Sequence, residues 1–309
     1  MKMKWIDNAK KYRTDKWLES ALYHPEQGYY RKREKEPGGS GDFYTPIHLS
    51  NILAKMINLK FRKNKYDKIF EFGGGDGYFA EQFKNLEKNI NYTIVDWGGS
   101  TNIKTINPND HLENKKTHEN CLILGIEILD ALPARRFIFS KGYWYEEYWI
   151  FKDEKWNNRW EKIKKNNVFL KKIKKPIENK ILEYQPDLKK FLLELKSKFK
   201  KSSFIFIDYG IHEFYGDTLR GFEGHKQLKP FVNPGRTDWT TDVRWNFFED
   251  ISAKNNFKNV KIKTLTNFSL PFLEEIVKPD MSYKDKMALK ELISPFGMGE
   301  SFQVATGDI

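Results

Sequence analysis

Acids that follow short apolar runs, and glycines spaced by two, are the residues whose types and spacing could do chemistry in this chain. Glu71-Phe72-Gly73-Gly74-Gly75-Asp76-Gly77 sets an acid before alternating glycines, and Asp96 lies further along. Gly73, Gly75 and Gly77 tolerate positive φ and carry no Cβ, so a ligand can approach the backbone closely. An acid about 20 residues beyond such a turn can accept hydrogen bonds from both hydroxyls of a ribose. Glu127-Ile128-Leu129-Asp130 and Asp208-Tyr209-Gly210 then place further acids at the ends of two apolar runs. Carboxylates in such places can localise the charge of a cationic acceptor and assist its proton loss. A helical turn after residue 126 would put Glu127 and Asp130 on one face. The same two acids also fit a charge pair favoured at a helix N-terminus, and Asp208 also fits a turn or capping carboxylate.

The elements that must position these groups are legible as alternating strands and helices. Lys68–Phe72, 92–95, Cys121–Ile126 and 203–207 are apolar runs of strand length, and Tyr78–Leu86 has amphipathic helical spacing. Beyond them, 186–199, 246–253 and Tyr283–Ile293 read as helices, and 260–264 and 302–305 as strands. This alternation predicts an α/β fold with a doubly wound, Rossmann-like sheet, whose chemistry sits at the carboxyl ends of its strands. Residues 1–60 form an N-terminal cap and lid, with a short helix over 15–22, a glycine-rich loop over 37–46 and helical spacing over 47–59. Asp42 in that loop either approaches the cofactor or caps the helix beginning near Ile47. The core then runs over 61–136, with 97–120 read as loop containing a short helix. It is interrupted by an antiparallel insertion over 137–185 and resumes over 186–309.

The kind of ligand follows from finer spacing. No Lys-Ser or Lys-Thr closes the glycine turn, which argues against a triphosphate-binding P-loop. Gly75-x-Gly77-x-x-Ala80 meets the permissive dinucleotide fingerprint. Glu71-x-Gly73-x-Gly75-x-Gly77 favours S-adenosyl-L-methionine (SAM) instead, because a sulfonium and its amino acid tail attract a carboxylate and a pyrophosphate does not. Glu71 is then expected near the methionine moiety.

Composition bounds the remaining classes. The 309 residues are 39% hydrophobic and 16% aromatic, enough for a substantial core, while 31% charged residues and a mean hydropathy of −0.71 describe a very polar exterior. No apolar run approaches the ~20 residues of a membrane span, and the first residues lack a signal-like apolar segment, so a cytoplasmic location without membrane insertion is expected. Cys121, the single cysteine, lies in a strand-like run and reads as core. The six histidines show no metal-ligand spacing, so no metal is expected. A net charge of +12 and the lysine run over 162–175, beside the aromatic hairpin candidate 143–160, raise nucleic acid as a partner. Lysine and asparagine are enriched throughout, which favours a solvated charged surface.

Taken in order, several unusual motifs resemble those of one family. They are Ala21-Leu22-Tyr23-His24-Pro25-Glu26-Gln27-Gly28-Tyr29-Tyr30, Gly41-Asp42-Phe43-Tyr44-Thr45, the Glu71 to Gly77 turn, Glu127-x-x-Asp130-Ala131-Leu132-Pro133, Asp208-Tyr209-Gly210, Leu219-Arg220-Gly221-Phe222, Pro234-Gly235-Arg236-Thr237-Asp238-Trp239-Thr240 and Gly297-Met298-Gly299-Glu300. The chain is similar over most of its length to the MidA-like SAM-dependent methyltransferases, which include a mitochondrial protein-arginine methyltransferase of complex I assembly. The resemblance implies that fold, SAM as cofactor, and a protein-arginine substrate, by the family's example a respiratory-complex subunit. A SAM-binding assembly chaperone with little turnover and an RNA methyltransferase are the competing functions. Two positions depart from the family pattern: Ile126 stands where an asparagine is usual and Arg244 where an aspartate is usual. The first removes a polar group from the acid motif, and the second is expected to reverse a charge in the substrate groove.

Overall fold

The structure is a computed structural model that describes residues 10–31, 46–98, 102–164, 169–213, 215–224, 226–228 and 233–309. Asp42, with the rest of the glycine-rich loop before Pro46, and His225 lie outside the described residues.

The central sheet contains β1 (Lys68–Phe72), β2 (Asn91–Val95), β3 (Lys104–Ile106), β4 (Cys121–Ile126), β5 (Ser203–Ile211), β6 (Lys258–Thr264) and β7 (Phe302–Asp308). They are ordered β6-β7-β5-β4-β1-β2-β3, with Val243–Arg244 added in parallel to the end of β5. β1 to β5 pair in parallel, and β7 is antiparallel to both of its neighbours. This is the doubly wound Rossmann-like architecture that the alternation predicts. Its strand order reverses between β1 and β4, where open α/β sheets form their ligand crevice.

Period-two alternation explains how one sheet serves two cores. Ile69, Ile94, Leu122, Leu124, Ile205 and Ile207 face one layer, packed with the helices Ile52–Phe61 and Tyr78–Leu86. Phe70, Phe72, Val95, Ile123, Phe204 and Phe206 face the other, packed with the helices Pro186–Lys198 and Trp245–Lys254. Every residue of β4 is buried, as expected of a central parallel strand covered on both faces. Cys121 is a fully buried part of that strand, and burial raises its thiol pKa, as befits a core residue and not a nucleophile.

A second, antiparallel sheet draws strands from three parts of the chain. Lys11–Arg13 pairs with Tyr143–Lys152, which also pairs with Arg135–Ser140 and Lys155–Lys162, and Ile181–Tyr184 completes the other edge. The N-terminal helix Thr14–Tyr23 packs on this sheet through Trp17, whose ring meets Trp156 and Trp239 edge-on at 5.6 Å. Trp149 is buried in the same cluster. Aromatic rings of the hairpin that sequence alone offered for base stacking are thus used in packing the cap.

Two local expectations are corrected. The helical spacing over 47–59 is broken into Pro46–Leu49 and Ile52–Phe61, because the Ser50 hydroxyl accepts the Ile52 N–H at 3.2 Å and diverts the backbone. Residues 97–120 contain, besides the helix Pro108–Glu113, the edge strand β3 and a short strand His118–Glu119. Both strands are too short and polar to show a period.

Candidate active site

The turn after β1 takes the shape its glycines permit. Gly73, Gly75 and Gly77 adopt φ of +75°, +53° and +84°, a region costly for residues bearing a Cβ. A Cβ at Gly75 would meet nothing within 4 Å, so the turn presents open space at its crest. Asp96 follows β2 and closes the far side: its carboxylate accepts the Gly75 N–H at 2.9 Å and the Gly98 N–H at 3.0 Å. A carboxylate has about four lone-pair sites, so capacity for ribose hydroxyls remains. Arg31 of the cap stacks over the neighbouring Trp97 ring at 3.9 Å, which brings the N-terminal segment to this crevice. Open backbone, a carboxylate with spare acceptor capacity and an adjacent indole fit an adenosyl group.

Glu71 lies under the turn and not along its open crest. Its side chain is on the core side of β1, buried, and accepts the Tyr92 hydroxyl at 3.0 Å. A Cβ on Gly74 would come within 2.9 Å of the Glu71 Oε2, so this acid supports the turn from below. Burial pushes the Glu71 carboxyl up to about 8 against the lowering effect of the Tyr92 bond. A raised carboxyl binds a proton in the folded chain that the unfolded chain has lost, so its contribution is full below about pH 4.5 and is lost as pH rises toward 8. Glu71→Gln, which copies the protonated acid, should flatten the pH dependence of stability across that window and stabilise the chain relative to wild type near pH 8. Urea unfolding at several pH values measures this, and parallel profiles for the two proteins would refute it.

The acids after β4 are brought together by a different device from the helical face expected of them. Glu127 donates its N–H to the Ile207 carbonyl at 2.9 Å and then adopts φ of +53°, so the chain leaves the sheet in an irregular turn and no helix forms. A left-handed glutamate is an uncommon conformation, of the sort that collects at functional sites. Asp208, fully buried at the end of the β5 pairing with β4, holds this turn. Its carboxylate accepts the N–H groups of Leu129 at 2.7 Å, Asp130 at 3.1 Å and Tyr209 at 2.9 Å. Gln185 donates to the Leu129 carbonyl at 2.8 Å, and Tyr23 donates its hydroxyl to the Ala131 carbonyl at 3.0 Å. Asp208 therefore shapes the acid loop, while Glu127 and Asp130 stand on it. Among the described residues no donor reaches the Glu127 carboxylate.

Asp238, more than 100 residues from Glu127 in sequence, completes the cluster. It accepts the Tyr30 hydroxyl at 2.6 Å, and its charge acts on Glu127 and Asp130 alike. Burial, reinforced by neighbouring acids, raises the carboxyls of Glu127 and Asp130 well above the ordinary range. It raises Asp208 to about 8, against the three N–H bonds that favour its ionised form. Arg220 is the cation that opposes the shift of Asp130. The hydroxyls of Tyr23, Tyr30 and Tyr209 are pushed upward by burial and remain donors. Gly73 lies against Ile128, with its Cβ position 3.2 Å from the Ile128 side chain, so the acid loop borders the glycine turn directly.

Sequence reasoning named Glu127, Asp130 and Asp208, and offered Tyr30 for stacking on adenine, guiding a peptide or packing the cap, but missed Asp238, Tyr23 and Gln185 as site residues. Asp238 and the two tyrosines stand in motifs that were visible, but their approach to Glu127 depends on the fold. The two departures also find their places. Ile126 is buried in the core on the sheet face of Leu122 and Leu124. Arg244 is buried too, and its Nη2 donates to Glu183 at 2.6 Å and to the Gly216 carbonyl at 2.9 Å. The charge expected in a substrate groove is instead inside an ion network between the two sheets, because the parallel pairing with β5 turns residue 244 inward.

Comparison with known proteins accords with this geometry. A family model described as "Putative S-adenosyl-L-methionine-dependent methyltransferase" matches residues 49–262, which include the glycine turn, the acid loop, Arg220 and Asp238. The zebrafish (Danio rerio) mitochondrial protein arginine methyltransferase NDUFAF7 is 20% identical, over 93% of this chain and 81% of its own. Two structures of COG1565 superfamily proteins from Burkholderia thailandensis share the fold. One, bound to S-adenosyl-homocysteine, has a TM-score of 0.82 at 20% identity and covers 97% of this chain and 88% of its own. The other has a TM-score of 0.78 at 21% identity and covers 97% and 87%. The matched model spans more than half of the chain, and the chain belongs to this family of S-adenosyl-L-methionine-dependent methyltransferases.

Proposed function

We propose that the chain methylates arginine side chains of a protein substrate, with Glu127 and Asp130 receiving the guanidinium. The observation that carries this reading is the convergence of Glu127, Asp130 and Asp238 beside the glycine turn, at the carboxyl ends of β1 and β4. Such a cluster of acids suits a cationic acceptor, and the similarity to NDUFAF7, a protein arginine methyltransferase, points the same way.

SAM supplies an electrophilic methyl group on a sulfonium, which leaves as a neutral thioether. Gly73, Gly75 and Gly77 would admit the cofactor to the backbone, and Asp96 would hold its ribose while bonded to the turn. A guanidinium is a poor nucleophile because its lone pairs are delocalised with the positive charge. Glu127 and Asp130, as carboxylates, would draw that charge toward the far nitrogens and hold one nitrogen in place to accept the methyl group. Either can take the proton lost after transfer, and their raised affinity for protons suits them to that step. Asp208 keeps the loop in register through its backbone bonds.

The test uses tritiated SAM with the full chain and a cell lysate. Label should enter protein, survive RNase, be lost to protease, and appear as methylarginine on hydrolysis. Glu127→Gln should reduce this transfer by about 100-fold while sparing S-adenosylhomocysteine affinity. Label removed by RNase would replace this reading with an RNA substrate, and unlabelled material at saturating cofactor would replace it with a binding role.

A further inference from the structure

A chain of hydrogen bonds ties Arg220 to the antiparallel sheet. Arg220 lies with its guanidinium 5.4 Å from the centre of the Tyr209 ring, and its charge acts on both Tyr209 and Asp130. Its Nη1 donates to Asp242 at 2.6 Å and to the Thr218 carbonyl at 3.2 Å. The Asp242 N–H donates to the Thr218 hydroxyl at 2.9 Å, and that hydroxyl donates to Glu183 at 2.6 Å. Glu183, 1% exposed on the strand Ile181–Tyr184, also accepts the N–H groups of Thr218 and Leu219, each at 3.1 Å. Two buried cations hold Glu183 itself: Arg136 Nε at 3.2 Å and Arg244 Nη2 at 2.6 Å. Arg136 in turn pairs with Glu147 at 2.8 Å and with Asp217.

We propose that Glu183 is a positioning residue for methyl transfer, which through Thr218 and Asp242 tethers Arg220 at a fixed standoff from the acceptor-binding acids. The proposal deepens the arginine-methylation reading and rests on it for its function, though not for its geometry. A free guanidinium beside Asp130 and Asp238 would close into an ion pair and occupy the place an acceptor must take. A guanidinium removed altogether would leave the acids repelling one another without a counter-charge. The tether opposes both: Arg220 Nη1 is committed to Asp242 and Thr218, which holds the guanidinium where its charge reaches Asp130. Arg244, one of the two departures from the family pattern, acquires a role here, since it donates to the same Glu183 oxygen, Oε2, that accepts the Thr218 hydroxyl.

The groups that face Asp130 are Glu127, Asp208, Asp238 and Arg220, with the Tyr23, Tyr30 and Tyr209 hydroxyls around them. A titration of Asp130 therefore reads the Arg220 charge without any substrate. The full chain is labelled with carbon-13 at its aspartate carboxyls, and the Asp130 resonance is assigned by its loss in Asp130→Asn. Arg220→Gln should raise the Asp130 midpoint by about 1 unit, and Arg220→Lys should restore part of the shift. Glu183→Gln, which frees Arg220 to pair with Asp130, should instead lower the midpoint, and that lowering should vanish in the double variant with Arg220→Gln. Thr218→Val should act as Glu183→Gln does, and it replaces that variant if Arg136 and Arg244 cannot fold around glutamine. A wild-type midpoint in Arg220→Gln would overturn the proposal. So would wild-type midpoints in the Thr218 and Glu183 variants, or shifts that simply add. Failure of the methylation reading would appear separately, as wild-type chain that transfers no label to protein arginine.

Discussion

Asp96→Ala should weaken S-adenosylhomocysteine binding by about 1 to 3 kcal/mol, about 5- to 150-fold in Kd, as measured by calorimetry. Two losses combine in this expectation. The ribose hydroxyls lose their acceptor, and the N–H groups of Gly75 and Gly98 lose the carboxylate that holds the turn against the end of β2. Asp96→Asn retains one acceptor oxygen and should fall between wild type and alanine. The unfolding midpoint should change little in either variant, because the carboxylate sits at the crevice and the freed N–H groups can turn to water. Unchanged affinity in Asp96→Ala would remove this residue from the cofactor site, while a matching collapse of stability would recast it as a brace.

The second large effect is expected at Asp208. Asp208→Ala leaves the buried N–H groups of Leu129, Asp130 and Tyr209 without their acceptor. At about 1 to 3 kcal/mol for each unsatisfied group, with partial relaxation, a loss of several kcal/mol in stability should follow. Methyl transfer should fall by at least about 100-fold even where the chain remains folded, since a displacement of about 1 Å in an aligned site has that consequence. Cofactor affinity should be retained, because the glycine turn and Asp96 stand on β1 and β2. Asp208→Asn keeps one acceptor and should recover part of both losses. Turnover and unfolding midpoint both at wild-type values in Asp208→Ala would sink the view that this acid shapes the loop. A pure loss of turnover with unchanged stability would mean that it meets the substrate itself.

Local patterning carried most of the fold. β1, β4 and the helices Tyr78–Leu86 and Tyr283–Ile293 have the boundaries their residues predict, because each is a strongly apolar or strongly amphipathic run with a clear breaker at its end. Elements without such a pattern were illegible. β3 has only three residues at the sheet edge, and Lys11–Arg13 becomes a strand only because Tyr143–Lys152 offers it a partner. The Glu127 to Asp130 spacing would put both acids on one face of a helix, but nothing in that spacing shows the left-handed residue at its start that turns the chain another way.

What the amino-acid order determined by itself was the cofactor-binding half of the protein: the glycine turn and the acid after the second strand lie within about 20 residues of each other, and local backbone sterics suffice to shape them. The assembly of the acid cluster was decided by tertiary structure. Asp238, Tyr30, Asp208 and Glu127 come from four distant parts of the chain and meet only because β4 and β5 pair and the cap folds over them. Their burial and mutual charge, which set their protonation, exist only in that assembly. The same holds for Arg244, whose family position suggested a substrate groove and whose place in the sheet turns it inward to Glu183.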